Sequence, residues 1–302
     1  MAVVQQAEIG FDDRPFFKQL ARLEGWEKLT FFAFLLPALV LLCSLFIYPL
    51  ITFLLTSFFD PSFTLKYYAK ALTRPVYLRV LKATIEISGL TTLGTLLLGY
   101  PVAYLFANVS PKVRMLLVPF VLLPFWTSVL VRMFAWMALL GSHGVFNNML
   151  QGLGIISSPL PMLFNRFAVL VGMIHFMLPY MILPIYSVMS GIPNELMQAA
   201  NNLGAGPYRS FLRVYLPLSL PGVGAGCLLV FIISLAFYVT PALLGGIRET
   251  MIAQIIEQQI SEFFTWQFAA ALSAILLSMT IALYLIYTRI LSVERIYEGE
   301  GK

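Results

Sequence analysis

Charge is what this sequence has least of. Only 11% of its 302 residues are Asp, Glu, Lys or Arg, while 60% are hydrophobic. A water-soluble fold carries roughly a quarter of its residues charged, so the composition excludes a soluble globular protein and describes a polytopic membrane protein. Cysteine is almost absent as well. Cys43 and Cys227 both lie in apolar runs, which excludes a disulfide framework and leaves two small buried apolar side chains. The two histidines, His143 and His175, stand far apart, and no Cys/His group has metal-ligand spacing. There is no HExxH helix, no GxSxG elbow and no GxxxxGK[ST] phosphate loop. The chain is therefore not its own P-loop ATPase. No catalytic residue, metal or cofactor is assigned to it. The net charge of +5 fits basic residues at membrane edges and not nucleic-acid binding. The first 28 residues show no short apolar core followed by a small-residue cleavage site, so no cleavable leader is expected.

Long apolar runs are what the sequence does have. Six of them, at about 30–55, 82–107, 114–140, 167–190, 222–244 and 268–291, reach the length of roughly twenty residues that a spanning helix needs. The expected organisation is all-α. A cytoplasmic tail over 1–29 contains an interfacial helix marked by Phe16, Leu20, Leu23 and Trp26. A transmembrane domain follows over 30–291, then a cytoplasmic tail over 292–302. Pro37 and Pro49 interrupt the first span, and Gly89, Gly94, Gly99, Gly222, Gly224 and Gly226 would let helices approach closely. An even number of spans puts both termini on one side. That side carries the larger share of basic residues, including Arg114, Arg209, Arg213 and Arg289, so it reads as cytoplasmic.

Two ionisable residues sit at membrane depth, where a functional hypothesis is the default. At 1.5 Å per residue Glu86 lies about 8 Å from the outer end of its helix, and Arg132 about 12 Å from the outer end of the next. As a structural pair, Glu86 would bind Arg132 across the bundle or Lys82 one turn away. Otherwise one or both line a translocation path. His175, inside the fourth apolar run, reads as a satisfied interior residue. The external loops are long. Residues 59–81 are basic and Tyr-rich, and 249–265 place Ile252, Ile255, Ile256 and Phe263 on one face, as a helix lying on the outer surface would.

The most informative stretch is a polar cassette over 193–221, between the fourth and fifth spans. Pro193 starts a short helix over Asn194–Leu203, and Gly204-Ala205-Gly206-Pro207 forces a break. A second short helix over Tyr208–Leu216 carries Arg209 and Arg213 one turn apart and is stopped by Pro217 and Pro221. Gln198-Ala199-Ala200, Gly204, Val214, Leu216 and Pro217 fall at fixed offsets. They resemble the cytoplasmic loop EAA-x3-G-x9-I-x-LP of permease subunits of ATP-binding-cassette importers. Gln198 stands where that family has glutamate, which removes a charge that Glu195, one turn earlier, replaces in part. Val214 stands for isoleucine.

The resemblance extends to Gly99-Tyr100-Pro101-Val102-Ala103-Tyr104. It includes Leu123-Pro124-Phe125-Trp126-Thr127-Ser128 with Arg132 and Ala135-Trp136, and Tyr238-Val239-Thr240-Pro241-Ala242-Leu243-Leu244-Gly245-Gly246. These look like the spermidine/putrescine-type branch, with permeases for opines or other amino-acid-derived solutes as the alternative. The resemblance implies a type I importer permease fold in a bacterial inner membrane. It also implies a second, similar permease, two ATPase subunits that bind ATP and Mg and dock on the cassette, and an extracytoplasmic solute-binding protein. Glu86 is the only carboxylate read within a span, so solute recognition is expected mainly on the binding protein. Trp126, Trp136, Phe237 and Tyr238 could face a cation through their rings, and Pro241 would loosen the backbone beside Tyr238 and Thr240. Two readings from other classes compete. A stand-alone secondary transporter requires an inverted repeat and a coupling-ion site, and an intramembrane enzyme requires a polar constellation that the spans do not offer.

Overall fold

The structure, a computed structural model, describes residues 25–299 and the side chains of residues 33–289. The interfacial helix expected around Phe16, Leu20 and Leu23 lies outside the described residues. Six helices are long and apolar enough to cross a membrane, and no strand occurs among the described residues.

The chain divides into two units, the first ending at Thr56. Its described part is one helical run, α1 (Gly25–Leu42) and α2 (Tyr48–Thr56), joined by a π-helical turn over Cys43–Ile47. Proline lacks an N–H, and its ring collides with the carbonyl four residues back. The widened turn ends two residues before Pro49, and the Tyr48 N–H reaches back to the Cys43 carbonyl. The helix therefore continues through the proline.

The second unit, from Ser57 onward, begins with the short helix α3 (Lys66–Thr73) and continues through α4 (Pro75–Asn108), α5 (Pro111–Trp126), α6 (Val129–Leu140) and α7 (Val145–Gly152). Next come α8 (Arg166–Met189), α9 (Asn194–Asn202), α10 (Pro207–Ser210), α11 (Leu216–Leu235), α12 (Val239–Leu244), α13 (Ile252–Ser261) and α14 (Trp266–Gly299). Helix α8 is the axis of the unit. Half of its most apolar window is buried, and Met173, Met177 and Met181 recur every four residues, each fully buried. Unbranched methionine side chains fill the irregular gaps between converging helices. Helix α11 lies close against α8 because it presents glycine. A Cβ on Gly222 would stand 2.9 Å from the Val188 Cβ and 3.1 Å from the Ile185 Cα. The glycines of the fifth run thus serve helix contact.

Three expectations change. The third apolar run is not one helix over 114–140. It breaks at Thr127 and Ser128, whose ψ angles of 139° and 136° are extended. Pro119 and Pro124 weaken the end of α5, and the Thr127 hydroxyl caps it by donating to the Pro124 carbonyl at 3.3 Å. The second helix of the cassette does not stop at Pro217. A π-helical turn over Phe211–Tyr215 again ends two residues before the proline, and the Leu216 N–H reaches the Phe211 carbonyl. Pro207–Leu235 is one spanning run. The amphipathic helix expected over 249–265 is present but shorter, and Phe263 is not on its packed face. In α13, Ile252 is fully buried and Ile255 and Ile256 pack with Phe268 and Leu272 of α14. The Ile252 N–H donates to Thr84 Oγ1 of α4 at 2.8 Å. Phe263 lies beyond α13 and stays exposed.

Candidate functional site

The cassette is built as a rigid corner. Gly204 has φ +84°, the left-handed region that closes a helix without steric penalty only for glycine. Its N–H donates to the Asn201 carbonyl at 3.0 Å, and the Ala205 N–H donates to the Ala200 carbonyl at 3.1 Å. These two bonds form a Schellman closure, which satisfies the last carbonyls of α9. The buried Ser210 hydroxyl, on α10, then donates to Asn201 Oδ1 at 2.9 Å, tying the second helix to the first. Met197, Phe211 and Ile192 pack on the core beneath.

The rest of the cassette faces outward. Glu195, Gln198, Ala199, Arg209, Arg213 and Pro217 are exposed, while Ala200 and Leu216 are half-buried. Leu203 is 89% exposed and Tyr208 73% exposed. Arg209 and Arg213 make no ion pair among the described residues. The corner is thus ordered in its backbone and displays apolar and cationic side chains.

The path candidates divide into separate groups. On one flank of α8, the Arg132 guanidinium lies over the Phe176 ring at 4.8 Å, and Phe176 packs against Phe237 at 4.7 Å. One turn along α6, Trp136 Nε1 donates to His175 Nδ1 at 3.1 Å. His175 is thus satisfied inside the bundle. Thr240 is fully buried on α12, with its hydroxyl 3.1 Å from the Met133 sulfur. Tyr238 is 43% exposed and lines a cavity of about 380 Å³ beside Ile256, Glu257 and Ile260. Trp126 closes α5 largely exposed.

Glu86 does not meet Arg132. Its Oε2 accepts from Arg166 Nη1 at 3.0 Å, and Lys82 Nζ lies 3.7 Å from its Oε1. The local pairing with Lys82 is present, while the partner across the bundle is Arg166, the first residue of α8. Packing of α4 on α8 brings that residue level with Glu86. The residues that sequence reasoning missed are therefore Arg166, Phe176 and Tyr180. The last two share the four-residue spacing of Arg132 and Trp136, the signal that could have found them.

Outside the spans, the loop before α3 is pinned by Asp60, which accepts from Lys66 Nζ and the Tyr67 hydroxyl. The Lys66 bond, with Tyr67 second, holds the Asp60 carboxyl below its ordinary range. The same carboxylate raises Lys66 and Tyr67.

An all-α, multi-pass inner-membrane transport permease is the class to which this fold and its matches point. A crystal structure of a bacterial transporter that imports the acidic polysaccharide alginate superposes with a TM-score of 0.71. That match covers 92% of this chain and 98% of the other at 19% identity, and it shows the type I importer permease fold. The profile of the binding-protein-dependent transport system inner membrane components matches residues 96–292, and the chain belongs to that family. Among its relatives, the spermidine/putrescine transport system permease protein PotB of Haemophilus influenzae is 38% identical over 72% of this chain and 76% of its own length. The Escherichia coli protein of the same description is 35% identical over 77% and 84%.

Proposed function

We infer that this chain is one of two permeases in an ATP-driven importer of polyamines or a related cationic solute. It supplies half of the translocation path, and both of its termini lie in the cytoplasm. The observation that carries the solute is the 38% identity with a spermidine/putrescine permease over most of both chains. The mechanical part rests on the cassette, an outward-facing corner whose second helix runs without interruption from Pro207 to Leu235. Two ATPase subunits, which hold ATP and Mg, sit beneath the permease pair, one on each cassette. In this chain they contact Gln198, Ala199, Ala200, Gly204, Arg209 and Arg213, with Glu195, Leu216 and Pro217 at the margins.

Closure of the ATPases moves the cassette. The continuous helix carries that motion into α11, and the path alternates between inward- and outward-facing states. A solute-binding protein delivers cargo from outside. Support for that partner comes from the alginate importer, one structure of which holds its periplasmic protein. Gln198 in place of the family glutamate means that docking depends on helix shape and on the two arginines.

The test is reconstitution of the complete transporter in proteoliposomes. Wild type takes up spermidine in an ATP- and binding-protein-dependent manner. Gly204→Asp inserts and assembles, because aspartate tolerates the left-handed conformation, yet its carboxylate puts a new negative charge on the docking face, so uptake and solute-stimulated ATP hydrolysis come apart. Wild-type uptake by Gly204→Asp overturns the coupling role. Uptake of a carboxylated amino-acid-derived solute in place of spermidine overturns the choice of solute.

A further inference from the structure

Arg132 is nine-tenths buried, yet its Nε and Nη1 atoms have no hydrogen-bond partner among the described residues. A charge at membrane depth is costly and is normally paired. The carboxylate that would balance it, Glu86, is engaged by Arg166 and Lys82. What Arg132 has instead is an aromatic face, the Phe176 ring at 4.8 Å. That ring belongs to a larger aromatic surface. Phe237 stands 4.7 Å away, tilted by 42°, and Tyr180 stands 5.9 Å away. Phe125 leans on Tyr180 at 5.1 Å. The face of an aromatic ring attracts cations, and most strongly where water is excluded. A guanidinium held by a ring and by no hydrogen bond can be replaced there by another cation without breaking one.

We propose that the Phe176, Phe237 and Tyr180 rings form this chain's subsite for an ammonium group of the solute. Arg132 is the resident cation that occupies the subsite until the transport cycle displaces it. The proposal rests on the cationic-solute reading above and deepens it. Arg132 competes with the solute, so an unloaded transporter holds its subsite filled and presents little affinity of its own. A solute ammonium enters only when movement of α6 against α8 draws the guanidinium off the ring. An arginine waiting for an anionic group on the solute would behave in the opposite way, because its removal would weaken binding.

The experiment uses the assembled transporter in nanodiscs without binding protein, with radiolabelled spermidine as the probe. Arg132→Met tightens spermidine binding by about five- to thirtyfold, the range of one desolvated cation–ring contact. Arg132→Lys, which keeps a cation, stays near wild type, and adding Phe176→Leu to Arg132→Met removes the gain. Unchanged or weaker binding in Arg132→Met overturns the proposal, as does a gain that survives Phe176→Leu. If Arg132→Met does not assemble, Phe176 variants decide the matter through uptake by the complete transporter at equal abundance. Phe176→Leu then raises KM for spermidine about fivefold and Phe176→Tyr leaves it unchanged, whereas equal KM values overturn the subsite. A wild-type complex that imports neither spermidine nor putrescine marks failure of the cationic-solute reading itself. That outcome is distinct from a Phe176→Leu complex that transports like an intact wild type.

Discussion

The cassette at one end of the second unit and the Arg132 cluster deeper in the bundle solve opposite problems. In the cassette the backbone is closed by the Gly204 turn and the Ser210–Asn201 bond, while side chains such as Leu203 and Tyr208 are left uncovered. Around Arg132 the guanidinium is buried against half-buried rings, and its Nε and Nη1 are left unmatched. A part that transmits force needs internal hydrogen bonds, so that it moves as a body, and an open face by which it can be gripped. A part that must change partners needs a contact that is adequate but not saturated. The backbone closure of the cassette is satisfied, whereas two nitrogens of Arg132 are not.

The comparison breaks most visibly at Gly204. Gly204→Val puts a β-branched side chain at φ +84°, which costs about 1–2 kcal/mol locally. A Cβ there meets nothing within 4 Å, so the cost is backbone strain and not a clash. Because the turn sets the angle between α9 and α10, uptake falls at least tenfold, while abundance in the membrane stays within about twofold of wild type. Gly204→Asn, which tolerates the left-handed region, retains most uptake. Uptake assays on matched proteoliposomes separate the two. Equal transport by the valine variant would show that the corner is not a rigid lever.

A smaller effect is expected at Glu86, which is paired with Arg166 and Lys82, unlike Arg132. Both partners are about two-fifths exposed, so the pair is worth about 1 kcal/mol or less. Glu86→Gln lowers subunit abundance about two- to threefold and leaves uptake per subunit unchanged. Arg166→Gln does the same, and the double variant is no worse than either single variant. Quantitative blotting alongside uptake decides the matter. Normal abundance with lost transport would move Glu86 into the path and unite the two groups that the structure keeps apart.

The uneven legibility of the chain has physical causes. The spans were readable because a bilayer demands length and apolarity, which are properties of single segments. Gly204 was readable because a left-handed helix end leaves a glycine at a fixed offset. The partner of Glu86 was not readable, since the choice between Arg132 and Arg166 depends on how α4 and α8 are rotated and staggered. Hydropathy carried no sign of the break at Thr127 and Ser128, which are flanked by apolar residues on both sides. Nor could it show that Pro217 is absorbed by a widened turn, because the bulge forms in ordinary residues ahead of the proline. The aromatic cluster failed to stand out for a related reason. Phenylalanine on α8 looks like packing until Arg132 is seen over its ring.

The loop before α3 extends the comparison to a polar, paired and solvent-exposed site, and here the expected effect is smallest. The Asp60 carboxyl is held below its ordinary value of 3.8 by Lys66 and Tyr67, so its contribution is present above pH 3.8 and is lost only as pH falls through the lowered value. Lys66 is held above 10.5, so its contribution is present below 10.5 and is lost only as pH rises through the raised value. Between pH 5 and pH 9, which both transitions leave untouched, the turn over residues 58–66 therefore keeps one structure. Hydrogen exchange of its amides in the reconstituted transporter, corrected for the intrinsic base-catalysed rate, stays flat across that window. Asp60→Asn raises it two- to threefold at every pH, in line with the loss of one exposed pair. A step in protection near neutrality would mean that the loop answers to a group other than this cluster, and the contrast between saturated and exchangeable contacts would not hold outside the membrane.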